Sequence, residues 1–169
     1  MIKNVSVILG DIMVQDTDAI VCFISPDMEW KGSLNQKILE AAGPQFDDYV
    51  LDNVVNAKSG EVYAIPGFDL SFKTVLLAIN PVWEDALQQE DRELLRCYRG
   101  VIDAMIDEGV RSVSIPAMGK GQRRFPHARA ARLAMRAFHE YMDPRIDDIR
   151  MVCYDQAIFE IYKERYDRY

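Results

Sequence analysis

Val5, Val7 and Leu9 fall on every second position and stop at Gly10-Asp11, the period of a strand followed by a turn. Ala19-Ile-Val-Cys-Phe-Ile24 is an unbroken apolar run, which predicts a strand covered on both faces. From Ser33 the period lengthens. Leu34, Ile38, Ala41 and Ala42 share one helical face, and Gly43-Pro44 closes it. After the turn-rich segment Asn56 to Gly60, Glu61 to Ile65 reads as a strand stopped by Pro66-Gly67. Thr74 to Ile79 reads as another buried strand, stopped by Asn80-Pro81. Leu94, Tyr98, Val101 and Met105 mark the clearest helix, which Gly109 caps. Ser112 to Ile115 is a further buried strand that runs into Pro116-Ala-Met-Gly-Lys-Gly121. Pro126 suits the first turn of the next helix, lined by Ala130, Ala134, Phe138 and Tyr141. Ile149 to Cys153 is the last strand, and Asp155 caps a terminal helix through Ile158, Ile161 and Tyr162.

Strands thus alternate with helices almost throughout. The pattern predicts an α/β fold in three layers, a mostly parallel sheet with helices on both faces, in one domain over residues 1–169. In such sheets ligands bind in the crevice beyond the carboxyl ends of the strands. Two segments leave strand ends with unusual chemistry: Gly10-Asp11-Ile12, and Gly119 to Pro126.

Composition narrows the function. About half of the 169 residues are apolar, and the formal net charge is −7. An acidic surface repels phosphates, which disfavours nucleic acid as a partner. Cys22, Cys97 and Cys153 are too few and too scattered for a disulfide framework, and with only His127 and His139 they make a poor zinc set. They read as buried small hydrophobes. No stretch approaches the ~20 apolar residues of a membrane helix, and the N-terminus lacks a leader pattern. The expectation is a cytoplasmic protein with no membrane partner, no metal and no resident cofactor; protein partners stay open.

The glycines of Gly119-Lys-Gly121 would let main-chain amides approach an anion at a helix N-terminus. The third glycine of a dinucleotide fingerprint is replaced by Arg124, so the motif alone is weak. Lys120, Arg123, Arg124 and Arg129 gather at that helix start, where cations oppose the macrodipole and a bound phosphate would offset them. A solvated basic loop reads equally well. Asp11 can accept a hydrogen bond from the exocyclic amine of a base, or can serve as a turn or cap residue.

The order of segments resembles the macrodomain family. Gly10-Asp-Ile12 resembles its first loop, Asp18-Ala-Ile-Val21 the strand before its Asn-Ala-Ala-Asn segment, and Ala41-Ala-Gly43 the end of the following helix. Gly60 to Leu70 is similar to the family's Gly-x-Ala-x-x-Thr-x-Gly stretch, and Ile79-Asn-Pro81 stands where the family has Val-Gly-Pro. Ile115-Pro-Ala-Met118, Gly121 and Phe125-Pro126 resemble its second loop. The resemblance implies a cleft for ADP-ribose. Asp11 would read the adenine amine with the Ile12 backbone beside it, the segment Gly119, Lys120, Gly121, Gln122 and Arg123 would wrap the diphosphate, and Phe125 would lie near the adenine or its ribose, or plug the core under the loop.

The departures cluster at the distal-ribose half. Asn-Ala-Ala-Asn becomes Cys22-Phe-Ile-Ser25, so Ser25 replaces the ribose-contacting asparagine. The glycine-rich run becomes Trp30-Lys-Gly-Ser33, keeping only Gly32, and the aspartate that acts as base in hydrolytic members lands on Asn35. An amide cannot take a proton from water near neutral pH. The leading expectation is therefore a binding module for ADP-ribose or a related adenine nucleotide, without efficient hydrolase activity. Lys31, Lys120, Arg123 and Arg124 would favour a more anionic ligand. One alternative is a hydrolase of ADP-ribose derivatives that uses Asp27 or Glu29 as base, if burial raises its pKa. Another is a protein-interaction domain whose cleft is closed by Trp30 and the arginines.

Overall fold

The computed structural model describes residues 1–81, 88–118 and 125–169. Six strands, β1 (Val5–Leu9), β2 (Ala19–Ile24), β3 (Val62–Pro66), β4 (Thr74–Ile79), β5 (Ser112–Pro116) and β6 (Asp148–Cys153), form one sheet in the order β1-β6-β5-β2-β4-β3. All neighbours are parallel except β3, which runs antiparallel to β4. The helices are α1 (Ser33–Ala42), α2 (Pro44–Asn53), α3 (Gln88–Glu108), α4 (His127–Tyr141) and α5 (Gln156–Asp167).

The strands alternate their side chains between two cores. Ala19, Val21, Leu76 and Ala78 face a larger core with α3, α4 and α5. Ile20, Cys22, Ile24, Val75, Leu77 and Ile79 face a smaller one with α1 and α2. Burial on both faces explains why these strands read as apolar runs rather than alternations. The three-layer expectation holds, with β3 as the antiparallel exception. Two elements were not foreseen. Gly43 adopts φ +87° and ends α1, but Pro44 then opens α2 at the position where a proline lacking an N–H is tolerated. A short 3₁₀ turn, Ile12–Val14, follows β1. Pro126 is the N-cap of α4 rather than its first residue.

Asp155 caps α5 as expected, accepting from the amides of Ala157 (2.8 Å) and Ile158 (3.2 Å). The three cysteines are free and buried, and burial pushes each thiol up to about 12. None is a thiolate at neutral pH. No described helix is long and apolar enough to cross a membrane.

One irregularity of the sheet positions the site. β2 pairs with β5 only at Ala19–Val113 and Ile20–Ser114, whereas it stays in register with β4 to its end at Ile24. β2 and β5 therefore part toward their carboxyl ends. The chain also leaves them in opposite directions, from β5 to β6 and from β2 toward β4, which makes this gap the switch point of the sheet.

Candidate functional site

A cavity of about 690 Å³ opens at that gap. Its described walls come from the carboxyl ends of five strands. Gly10, Asp11, Ile12 and Met13 follow β1, Tyr154 follows β6, and Pro116, Ala117 and Met118 end β5. Phe23 lies near the end of β2, and Asn80 follows β4. Lys31, Gly32, Ser33, Leu34, Asn35 and Lys37 add the start of α1, and His127 the start of α4. Neighbouring strands lie about 4.8 Å apart, so the four steps from β1 to β4 span roughly 19 Å. That is room for a dinucleotide-sized ligand laid across the strand ends.

The β1–β6 end is built on main-chain bonds. The Gly10 amide donates to Cys153 O (2.9 Å), which ties the loop after β1 to the end of β6. Asp11 Oδ1 accepts from the Met13 amide (2.9 Å) and so caps the 3₁₀ turn. The carboxylate is exposed, which leaves its second oxygen open to a ligand. Asp11 is the only carboxylate among the described wall residues. Tyr154 stands beside this loop with 78 % of its surface exposed. A large aromatic so exposed at a cavity rim offers a stacking face. On the next strand, Ala117 N–H donates to Val152 O (3.0 Å) and the buried Tyr162 hydroxyl donates to Met118 O (2.6 Å), which fixes the chain as it leaves β5.

The β2–β4 end has a different character. The N-cap of α1 is Gly32, at φ +91°, and no side chain caps the helix. Its first amides and the positive end of its dipole therefore face the cavity beside Lys31 and Lys37, an arrangement suited to oxygen-rich or anionic groups. Asn35 is 8 % exposed, and both halves of its amide have partners. Nδ2 donates to Phe23 O (2.9 Å), and Oδ1 accepts from the Cys22 thiol (3.2 Å). Asn35 thus clamps α1 to the end of β2 and supplies no base.

Several expectations are corrected by this geometry. Ser25 is 2 % exposed and is not a wall residue; its hydroxyl donates to Asp27 Oδ1 (2.6 Å), itself not on the wall. Asp27 does not meet the condition for a base. It is exposed, and the Lys31 ammonium (2.8 Å), the Ser25 hydroxyl and the Glu29 amide (3.0 Å) hold its carboxyl well below the usual carboxylate range. Neither Asp27 nor Glu29 lines the cavity. Trp30 does not close the cleft: its ring packs on Phe46 (5.4 Å between centroids) and its indole N–H donates to Asp47 (2.9 Å). Of the two expectations for Phe125, the structure favours the plug: the ring is fully buried in the larger core and is not on the described cavity wall. Arg129 pairs with Asp91 (2.6 Å) and is not a wall residue. Gly119, Lys120, Gly121, Gln122, Arg123 and Arg124 lie outside the described residues.

The structure brings Gly10, Asp11, Ile12, Gly32 and Asn35 to one cavity. It adds Tyr154, Asn80, Phe23, Lys37 and His127, which the sequence did not single out as site residues. The signal available for Tyr154 and Asn80 was positional, since each directly follows a parallel strand on the side where ligands bind.

The family model for the macro domain matches residues 25–134. A protein of Cronobacter turicensis named O-acetyl-ADP-ribose deacetylase is 30% identical over 100% of this chain and 99% of its own length. Among solved structures, the Oceanobacillus iheyensis macrodomain with ADP superposes with a TM-score of 0.88 at 22% identity, covering 97% of this chain and 90% of that one. The Trypanosoma brucei macrodomain in complex with ADP-ribose gives 0.84 at 21% identity, over 95% and 68%. With the family model matching well over half of the chain and a relative 30% identical over its whole length, the protein belongs to the macro domain family.

Proposed function

We propose that this protein binds ADP-ribose, or a closely related adenine nucleotide, in the cavity across the strand ends, and does not hydrolyse it efficiently. The observation that carries the reading is the pairing of two unlike ends in one roughly 19 Å trough. At one end an exposed carboxylate and an exposed tyrosine suit an adenine: Asp11 accepts from its amine and Tyr154 stacks on its face. At the other, the uncapped N-terminus of α1 and two lysines suit phosphate and sugar oxygens. The ligands named for the solved relatives, ADP and ADP-ribose, support the same choice.

The absence of efficient hydrolysis follows from what stands at the would-be base. Asn35 is neutral, with a partner at each end of its amide, and Asp27 is held ionised outside the cavity. The name of the Cronobacter turicensis relative favours the second reading, a deacetylase. Release of acetate from O-acetyl-ADP-ribose at turnover well above the uncatalysed rate would establish it in place of binding alone.

Titration calorimetry tests the primary reading. ADP-ribose is expected to bind more tightly than roughly 1 mM, and failure of any adenine nucleotide to do so overturns it. Tyr154→Ala is expected to weaken ADP-ribose binding about 10-fold, since loss of a base–aromatic stack removes about 1–3 kcal/mol. Its melting temperature should hardly move, because the side chain is mostly in water. Unchanged affinity would remove Tyr154 from the site.

A further inference from the structure

Asn80, in the cavity wall, carries a buried side-chain acceptor. Asn80 is fully buried, and its Oδ1 accepts no hydrogen bond. A buried carbonyl left unmet costs free energy that folding does not normally leave unrecovered. The residue is also held in place. Its main-chain N–H donates to Ile24 O (2.9 Å), and its Nδ2 donates to Pro81 O (3.1 Å). That second bond fixes the sense of the amide, because a flipped side chain would set one carbonyl against another. Asn35, across the end of β2, makes a useful contrast. Both of its amide atoms are satisfied by Phe23 and Cys22, whereas Asn80 keeps one acceptor in reserve.

We propose that Asn80 is a specificity-determining residue, whose side-chain carbonyl accepts a hydrogen bond from an O–H or N–H group at the end of the ligand remote from Asp11. The proposal rests on the nucleotide-binding reading above. Asn80 follows β4 and Asp11 follows β1, at opposite limits of the trough, so a nucleotide whose base reaches Asp11 presents its terminal sugar near Asn80. A sugar hydroxyl supplies the donor that Oδ1 lacks. A ligand that ends in phosphate oxygens without a donor leaves the carbonyl unmet and gains nothing there. Asn80 thereby selects a hydroxyl-bearing terminus, while Lys31 and Lys37 supply only charge.

The test compares ADP-ribose with ADP, which lacks the terminal ribose, by titration calorimetry on the wild type, on Asn80→Leu, which keeps the bulk and removes the acceptor, and on Asn80→Gly, which removes the side chain. Both variants are expected to bind ADP-ribose about 10-fold more weakly and to bind ADP within about 2-fold of wild type. Retained ADP binding also reports that a variant is folded. If Asn80→Leu fails to fold, Asn80→Gly carries the comparison. Equal losses for the two nucleotides, or no loss for either, overturn the role of Asn80 and leave the nucleotide reading standing. A wild type that binds neither nucleotide overturns both.

Discussion

Asn35→Asp is expected to lower stability by about 3 kcal/mol at pH 7, and by far less at pH 4. The amide now donates to Phe23 O and accepts from Cys22 at a site 8 % exposed. An aspartate there sets an ionised oxygen against the Phe23 carbonyl; the α1 dipole and Lys37 offset this only in part, and burying the charge costs a few kcal/mol. Its protonated form can still donate to Phe23 O, so the native state holds the proton and the folded pKa rises. About 3 kcal/mol corresponds to about two pKa units. The sign follows from linkage. The variant's stability is near wild type below the ordinary aspartate value of about 3.9, falls as the unfolded chain ionises, and stops falling near pH 6, where the native carboxyl ionises too. Denaturant melts of both proteins at pH 4 and pH 7 measure this. An equal deficit at the two pH values would mean that lost packing, not a buried charge, is responsible.

Gly67→Ala is expected to destabilise by about 3 kcal/mol, at the upper end of overpacking costs, and to lower Tm by roughly 10 °C. Gly67 follows β3, and its N–H donates to Lys73 O (2.9 Å) across the β3–β4 connection. A Cβ at this position would sit 1.9 Å from the backbone oxygen of Phe72. The obstacle is main chain beside an almost fully buried phenylalanine, so no flexible side chain can yield. Relief requires the connection to open, which loosens the start of β4 and, through it, the strand that carries Asn80. Gly109→Ala gives the contrast. It is also strained, at φ +68°, but a Cβ there meets no atom within 4 Å, so a cost of about 1 kcal/mol is expected.

Much of the fold was legible in the sequence because burial on both sheet faces writes itself as apolar runs. Ala19–Ile24 and Thr74–Ile79 pack Val and Ile against both cores, and no surface strand gives that pattern. α2 was hidden because Gly43-Pro44 was read as a stop. The same two residues end one helix and begin another, and Phe46 and Val50 carried the missed period. The antiparallel sense of β3 lay in the short link between Pro66 and Thr74, too short for a parallel crossover.

The site was half legible. Gly10-Asp11-Ile12 stood out because a strand ends there. Tyr154 did not, because nothing in the sequence places the end of β6 beside the end of β1, with Cys153 143 positions after Gly10; only the pairing does. Ser25 and Asp27 were misplaced for the opposite reason. Adjacency to a strand end was legible, but their mutual hydrogen bond, which turns both from the cavity, is a matter of side-chain direction. Asn80 was visible as a departure from glycine, and its significance required knowing which of its atoms lacked a partner.

Amide chemical-shift mapping of the ¹⁵N-labelled protein with ADP-ribose tests the central claim most directly, since it reads both ends of the trough at once. The expected result is a saturating change at Gly10 to Met13 and Tyr154 together with one at Gly32 to Asn35 and Asn80, at opposite limits of the cavity. Changes confined to another face of the protein, or none at millimolar nucleotide, would contradict it.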